Sequence, residues 1–251
     1  MGLTFDLVDM PAAVERCLAW CRGPRSPHVV VTANAFHLCL MRRDRELWNA
    51  THAADLVVAD GMSVVWALRA AGVAVPGRVA GVDLMARLLE AGGRAGLSAY
   101  FLGARAEVVS ALAAGCAGRF PGLVVAGFRD GYFGPAEHAA VVEEIRSRAP
   151  HLLFVGMPSP FKESFCERHR DRLGVPVMVG VGGSFDVLAG YVRRAPRWAQ
   201  AAGMEWAWRL LMEPRKLWKR YLTTNAEFLW AAGREVLARR LRRPAAPEGR
   251  P

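Results

Sequence analysis

The stretch Ala54-Asp-Leu-Val-Val-Ala-Asp-Gly-Met-Ser63 decides how the chain is read. Leu56, Val57, Val58 and Ala59 form a short continuous apolar run, the pattern of a buried strand. The run ends on Asp60, and Gly61 follows at once. A turn accounts for that ending, because Asp bonds its own backbone and Gly tolerates positive φ. A carboxylate held at a strand's carboxyl end also suits a site built on a sheet edge.

Outward from this run, further strands are expected at Val29–Thr32, Ala99–Leu102, Leu123–Ala126, Leu152–Val155 and Val177–Val181. Helix-length segments near 37–50, 62–71, 83–95, 105–119, 136–149 and 162–173 alternate with them. Strand then helix, repeated with Val- and Leu-rich runs, predicts an α/β fold: a mostly parallel sheet with helices on both faces. Ligands of such sheets bind beyond the strands' carboxyl ends. Those ends carry Thr32-Ala-Asn34, Asp60-Gly61, Leu102-Gly103, Phe128-Arg-Asp-Gly-Tyr132, Gly156-Met-Pro-Ser-Pro160 and Gly182-Gly-Ser-Phe-Asp186.

A chain of 251 residues, 53% hydrophobic and 22% charged, reads as one sizeable globular core with room for an appendage. The start MGLTFDLVDM lacks the basic-then-apolar pattern of a secretory leader. No apolar run approaches the roughly 18 residues needed to span a bilayer. Five cysteines, an odd count, suggest reduced cytosolic thiols. Cys17 and Cys21 are four apart on an expected helix, and with no second pair or nearby His they read as core filler.

Charge divides the chain. From Arg193 onward, 14 Lys and Arg against 5 Glu place +9 of the net +10. The expected organisation is a core over 1–192, a basic amphipathic helical appendage over 193–241, and a disordered tail, RRPAAPEGRP, over 242–251. The appendage holds five of the eight tryptophans: Trp198, Trp206, Trp208, Trp218 and Trp230. On a helical wheel Leu217, Trp218, Tyr221 and Leu222 oppose Arg215, Lys216, Lys219 and Arg220. Such a helix packs on the core, or meets the phosphates of a membrane or ligand.

Several chemistries lack their signatures. There is no G-x-G-x-x-G, P-loop or G-x-S-x-G elbow, and no His, Cys, Asp or Glu cluster with metal spacing. Phe101-Leu-Gly-Ala-Arg-Ala-Glu107 and Gly180-Val-Gly-Gly-Ser-Phe-Asp-Val-Leu-Ala-Gly190 are glycine-bearing strand-to-helix turns. Each either cradles phosphate or is only a tight connection. His37 reads as a cap or packing residue. Arg78, within Pro76-Gly-Arg-Val-Ala-Gly81, is a surface arginine or a phosphate ligand on a loop.

The blocks TANAFHL, ADLVVADGMSVVWALR, GRVAGVDL, YFLGA, DGYF, FVGMPSPFKE, GVGGSFDVLAG and RAPRWAQAAGMEWAWRLLMEPRKLWKRYL occur in that order. Together they resemble the bacterial WecG/TagA/CpsF glycosyltransferases, glycosyltransferase family 26, over roughly residues 2–230. The resemblance implies a Rossmann-like core of the GT-E type. It implies transfer of a sugar from a UDP-sugar to a polyprenyl-diphosphate-linked sugar, with inversion and with neither metal nor cofactor. It places the work on the cytoplasmic face of the cell membrane, in polysaccharide, teichoic acid or exopolysaccharide synthesis. The appendage then lies near acceptor and membrane; the resemblance leaves a homo-oligomer open and calls for no nucleic acid.

Residue by residue, the resemblance puts Thr32 and Asn34 beside Asp60, makes Asp60 the base, and makes Arg78 a phosphate-side contact. Gly131, Tyr132 and Asp186 match the nucleotide-binding positions, Gly103 of the glycine turn is a further substrate-side candidate, and Arg209, Arg215 and Arg220 are the appendage residues expected to reach the diphosphate. Many members carry Gln where this chain has Lys162, in Pro160-Phe-Lys-Glu163, so a cation replaces a neutral amide and Lys162 is expected to face the donor diphosphate. A base for the acceptor hydroxyl and cations for a diphosphate leaving group are what such a transfer needs. A nucleic-acid-binding α/β protein with an Arg-rich tail would explain the charge but not the polar strand tips. A nicotinamide enzyme would need the missing glycine fingerprint.

Overall fold

A computed structural model of the chain describes residues 2–201, 203–212 and 214–242; for 197, 201, 209, 214–217, 219–222 and 238–242 it describes the backbone alone. Six strands are present: β1 (His28–Ala33), β2 (Leu56–Ala59), β3 (Ser98–Gly103), β4 (Val124–Arg129), β5 (Leu152–Gly156) and β6 (Val177–Gly180). They form one sheet in the order β2-β1-β6-β5-β3-β4, and every pairing is parallel. All six carboxyl ends therefore lie on one edge. The register aligns Ala33 with Ala59, Val31 with Gly180, and Gly103 with Gly156.

The helices are α1 (Met10–Arg22), α2 (Ala35–Met41), α3 (Arg45–His52), α4 (Met62–Ala70), α5 (Gly81–Arg94), α6 (Ala106–Arg119), α7 (His138–Arg148), α8 (Phe161–Arg168), α9 (Arg170–Leu173), α10 (Ser184–Leu188), α11 (Arg197–Ala201), α12 (Glu205–Met212) and α13 (Pro214–Arg242). Alternate strand residues point to opposite faces. Val30, Val58, Phe101, Phe154 and Val179 pack with Cys17, Leu84, Leu88, Val109 and Phe185 on one face. Val31, Val57, Tyr100, Val155 and Met178 pack with Val142, Ile145, Phe165 and Cys166 on the other. The expected α/β architecture, a parallel sheet between helices, is what the chain adopts.

Two expected helices are broken. The segment near 37–50 divides into α2 and α3, because Asp44 caps α3 by accepting from the Leu47 N–H at 2.9 Å. The segment near 162–173 breaks at His169 into α8 and α9. Strand β4 runs to Arg129, beyond the expected Ala126. It is an edge strand paired only with β3, so its burial pattern is weak and its sequence signal soft.

The C-terminal helix docks on the core. Phe228 and Ala232 of α13 are buried against Leu38 and Met41 of α2 and Val64 and Val65 of α4. The Arg43 guanidinium reaches Glu227 at 2.5 Å. Among the described residues no helix is long and apolar enough to cross a membrane. The expected tail falls outside the described residues from Arg243 onward. All five cysteines are free, and burial pushes the Cys17 and Cys21 thiols up to about 12, the reverse of a metal-ready thiolate.

Candidate active site

Asp60 leaves β2 and its N–H donates to the Ala33 carbonyl at 3.0 Å, so the ends of β1 and β2 are joined at the acid. Gly61 then opens α4, with extended backbone at φ −96°. Next door, Asn34 caps α2, its side-chain oxygen accepting from the His37 N–H at 3.1 Å. A side chain on Gly61 would begin 3.6 Å from the Asn34 Cβ, so the two strand ends touch. Thr32 is buried, and its hydroxyl donates to the Gly180 carbonyl at 3.3 Å. Thr32 thus ties β1 to β6 beneath the acid.

The loop carrying Arg78 is fastened to the same edge. The Val79 N–H donates to the Ala59 carbonyl at 2.9 Å, one residue before Asp60. Gly81, the first residue of α5, lies against Thr32, where a Cβ would come within 3.0 Å of Oγ1. The Arg78 side chain is only 15% exposed and meets Glu205 of α12 at 2.8 Å. It is therefore neither a free surface arginine nor a loose loop residue.

Lys162 departs furthest from a solvated helix-start lysine. It is 7% exposed, and its stem lies along Gly180 at the end of β6, where a Cβ would meet its Cγ and Cδ. Its ammonium donates to the Ser159 hydroxyl at 2.8 Å and to the Glu163 carboxylate. Ser159 in turn donates to Glu163 Oε1 at 2.8 Å. Burial lowers the Lys162 pKa to about 8, while the nearby Asp60 carboxylate pulls it back up. Two of the ammonium's three N–H groups are thus committed to Ser159 and Glu163.

Behind this pair lies His37, also buried, with Nδ1 3.2 Å from Glu163 Oε1 and Nε2 2.9 Å from the Thr51 hydroxyl. Thr51 in turn donates to the Leu47 carbonyl at 2.7 Å. Burial, reinforced by the Lys162 charge, lowers the His37 pKa to about 3, so the ring is neutral.

The β3, β4 and β5 ends form the other half of the edge. Gly103 has φ +127°, and a Cβ there would sit 2.6 Å from the Gly156 backbone. The Gly131 N–H donates to the Ala104 carbonyl at 2.9 Å, and Gly131 itself approaches the Gly103 Cα. A Cβ at Gly131 would also meet the Met157 side chain, so these glycines let the ends of β3, β4 and β5 pack closely. Tyr132 stands beside them, 77% exposed, its N–H held by the Asp130 carboxylate at 2.9 Å. Asp186 sits in α10, whose start follows β6. The edge thus gathers an acidic half at Asp60 and a closely packed glycine half at Gly103 and Gly131. Arg209, Arg215 and Arg220 belong to α12 and α13, but their side chains lie outside the described residues.

The order of the sequence blocks agrees with one family. Its model, described as the Glycosyl transferase WecG/TagA/CpsF family, matches residues 1–243. The chain belongs to the WecG/TagA/CpsF family. As a member it is a glycosyltransferase. It is similar to the N-acetylglucosaminyldiphosphoundecaprenol N-acetyl-beta-D-mannosaminyltransferase of Bacillus subtilis, 29% identical over 195 residues, 78% of this chain and 75% of that protein. It is also similar to the protein of the same name from Bacillus spizizenii, 34% identical over 171 residues, 68% of this chain and 65% of that protein.

Within this WecG/TagA/CpsF member, sequence reasoning overlooked Glu163, Ser159, Asp83, Arg194 and Glu205. Glu163 and Ser159 stand inside the block that carries Lys162. Glu205 is the lone acid of the apolar stretch Ala202-Gly-Met-Glu-Trp-Ala-Trp208, a signal of a buried partner. Arg194 had no local signal, because Asp83, which grips it through two bonds, lies 111 residues away.

Proposed function

We propose that this glycosyltransferase moves a sugar from a UDP-sugar to a polyprenyl-diphosphate-linked sugar, inverting the anomeric carbon. The observation that carries the reading is the shared edge of Asp60 and Arg78, joined through Ala59: the Val79 N–H bonds its carbonyl and Asp60 follows it. Asp60 takes the proton of the acceptor hydroxyl as that oxygen attacks the anomeric carbon. The bond to the donor diphosphate breaks on the opposite side, and UDP leaves. Thr32 and Asn34 hold the strand ends that present Asp60. Lys162, whose ammonium interacts with the Asp60 charge, lies on the same edge.

The nucleotide lies at the Gly103 and Gly131 half of the edge, with Tyr132 and Asp186 beside it. Protein cations neutralise the leaving diphosphate in place of a metal, with Arg215 and Arg220 of the appendage joining Arg78. The two relatives' names specify an N-acetylmannosamine transfer to N-acetylglucosaminyl-diphosphoundecaprenol. That is the first donor–acceptor pair to try here.

Catalysis on a lipid-linked acceptor needs a membrane-facing surface. Trp66 of α4 is 51% exposed, and Gly203 lies against its ring. Met204, Trp206, Leu211 and Met212 are exposed on the same segment. An apolar patch of this kind marks an interaction surface. We assign it to the inner face of the cell membrane, with the basic charge after Arg193 meeting anionic headgroups.

The test is transfer to a short-chain N-acetylglucosaminyl-diphosphate-lipid from a panel of UDP-sugars, with chelator and without. Expected is one preferred donor, a product of inverted configuration, and turnover unaffected by chelator. No transfer from any UDP-sugar would overturn the reading.

A further inference from the structure

Glu205 bridges two guanidinium groups. Its Oε2 accepts from Arg78 Nη1 at 2.8 Å and its Oε1 from Arg194 Nε at 3.3 Å. Arg194 is also gripped by Asp83 through two bonds, 2.5 and 2.6 Å, the bidentate fork. Asp83 lies 4.0 Å from Arg78, at the limit of an ion pair. Arg194 is therefore fixed by Asp83 whether or not Glu205 is present. Arg78 has its close carboxylate contact with Glu205.

We propose that Arg78 and Arg194 form a seat for a diphosphate and that the Glu205 carboxylate occupies it until the ligand arrives. This rests on the glycosyltransferase reading above, and adds Arg194 and the displaced carboxylate. A carboxylate held between two guanidinium groups presents two oxygens to fixed N–H donors, as a phosphate would. A diphosphate brings more negative charge and more acceptor oxygens than one carboxylate, so it wins the exchange. The seat stands where a donor's diphosphate must end: Arg78 is fastened beside Asp60, and Arg194 follows the loop whose Val192 N–H bonds the Asp186 carbonyl at 3.0 Å.

Displacement has a mechanical consequence. Glu205 is the first residue of α12, and Gly203 just before it packs on Met62 and Trp66 at the start of α4. Freeing Glu205 removes the ionic tie that holds α12 to the core edge. Donor binding and release of the apolar segment at 203–212 become one coupled event, and the coupling is reciprocal.

The experiment is calorimetric titration of the full chain, and of Glu205→Gln and Arg194→Gln, with UDP and separately with inorganic pyrophosphate. Removing the competing carboxylate should tighten both ligands by about fivefold or more, the lower end of usual coupling between sites. Arg194→Gln should weaken both by about tenfold or more, the value of a charge-assisted hydrogen bond. Equal or weaker binding by Glu205→Gln overturns the placeholder. Should that variant not fold, hydrogen exchange of the unaltered chain decides: UDP should speed exchange over 203–212, and unchanged or slower exchange overturns the proposal. Wild-type protein that binds UDP with none of these effects leaves the donor reading standing. Tightened pyrophosphate binding in a chain that ignores UDP leaves the seat standing and removes the donor.

Discussion

The ammonium of Lys162 is bound to the carboxylate of Glu163, its immediate neighbour in sequence, and both are buried at the carboxyl edge of the sheet. Neighbouring residues on a helix point about 100° apart, so the pair closes only because the long lysine stem folds back along Gly180. A side chain at Gly180 would block that path. The ion pair is thus a property of the strand end as much as of the helix.

Breaking this pair should cost stability in a graded way. Lys162→Met leaves a buried, uncompensated carboxylate and should cost about 3–5 kcal/mol in denaturant unfolding. Lys162→Gln should cost less, because its amide can still donate to Glu163. Combining Lys162→Met with Glu163→Gln should recover part of the loss. In turnover, Lys162→Gln should move the acidic limb of the kcat/KM profile to higher pH, since Asp60 loses a neighbouring cation. An unmoved limb would reduce Lys162 to a purely structural part.

Asp60→Asn separates base from turn. The amide keeps the shape at the end of β2 and much of its hydrogen bonding, so the melting temperature should hold. Turnover should fall by about 10²–10⁴-fold, the range of a positioned base. UDP affinity, read by calorimetry, should hardly change, because the proton is taken on the acceptor side. Near wild-type turnover in the folded variant would remove Asp60 from the mechanism.

His37 predicts an acid dependence of stability. Its folded pKa is lowered from 6.5 to about 3, so between those values the unfolded chain binds the extra proton. The contribution is complete above pH 6.5 and is lost as pH falls towards 3. The slope reaches about 1.4 kcal/mol per pH unit in that window. Unfolding curves from pH 7 to 5 should show wild type losing more stability than His37→Gln. Parallel pH dependences would mean that His37 titrates alike in both states.

The apolar patch at α4 and α12 predicts vesicle binding. Full-length protein should sediment with anionic vesicles, more at low salt than at moderate salt. Trp66→Ser together with Trp206→Ser should weaken partitioning by about 1–2 kcal/mol per ring, from the apolar area no longer buried in lipid. Point variants suit this test better than removal of everything after Arg193, because truncation would uncover Leu38 and Val64 beneath Phe228. Equal sedimentation of wild type and the double variant would place the membrane contact elsewhere.

The sequence by itself determined the strands, the parallel class and the edge that carries the polar tips. Those follow from local order: Val- and Leu-rich runs of strand length, each ending on Gly, Asp or Asn, alternating with helix-length segments. Asp60 was legible because a charge ends an apolar run. The breaks at Asp44 and His169 were not, since caps inside an amphipathic stretch leave its apolar periodicity intact. Only the tertiary structure decided which charges meet. Arg78 and Asp83 lie where one loop enters α5, and Arg194 and Glu205 lie on two later segments; their ion pairs exist because that loop, the segment after α10 and the start of α12 converge on one edge. It also decided that Lys162 is buried and paired, for a lysine's exposure depends on what covers it, and here that cover is Gly180, Ser159 and Glu163. Local pattern sets the elements; the pairing of charges far apart in sequence is set by packing alone.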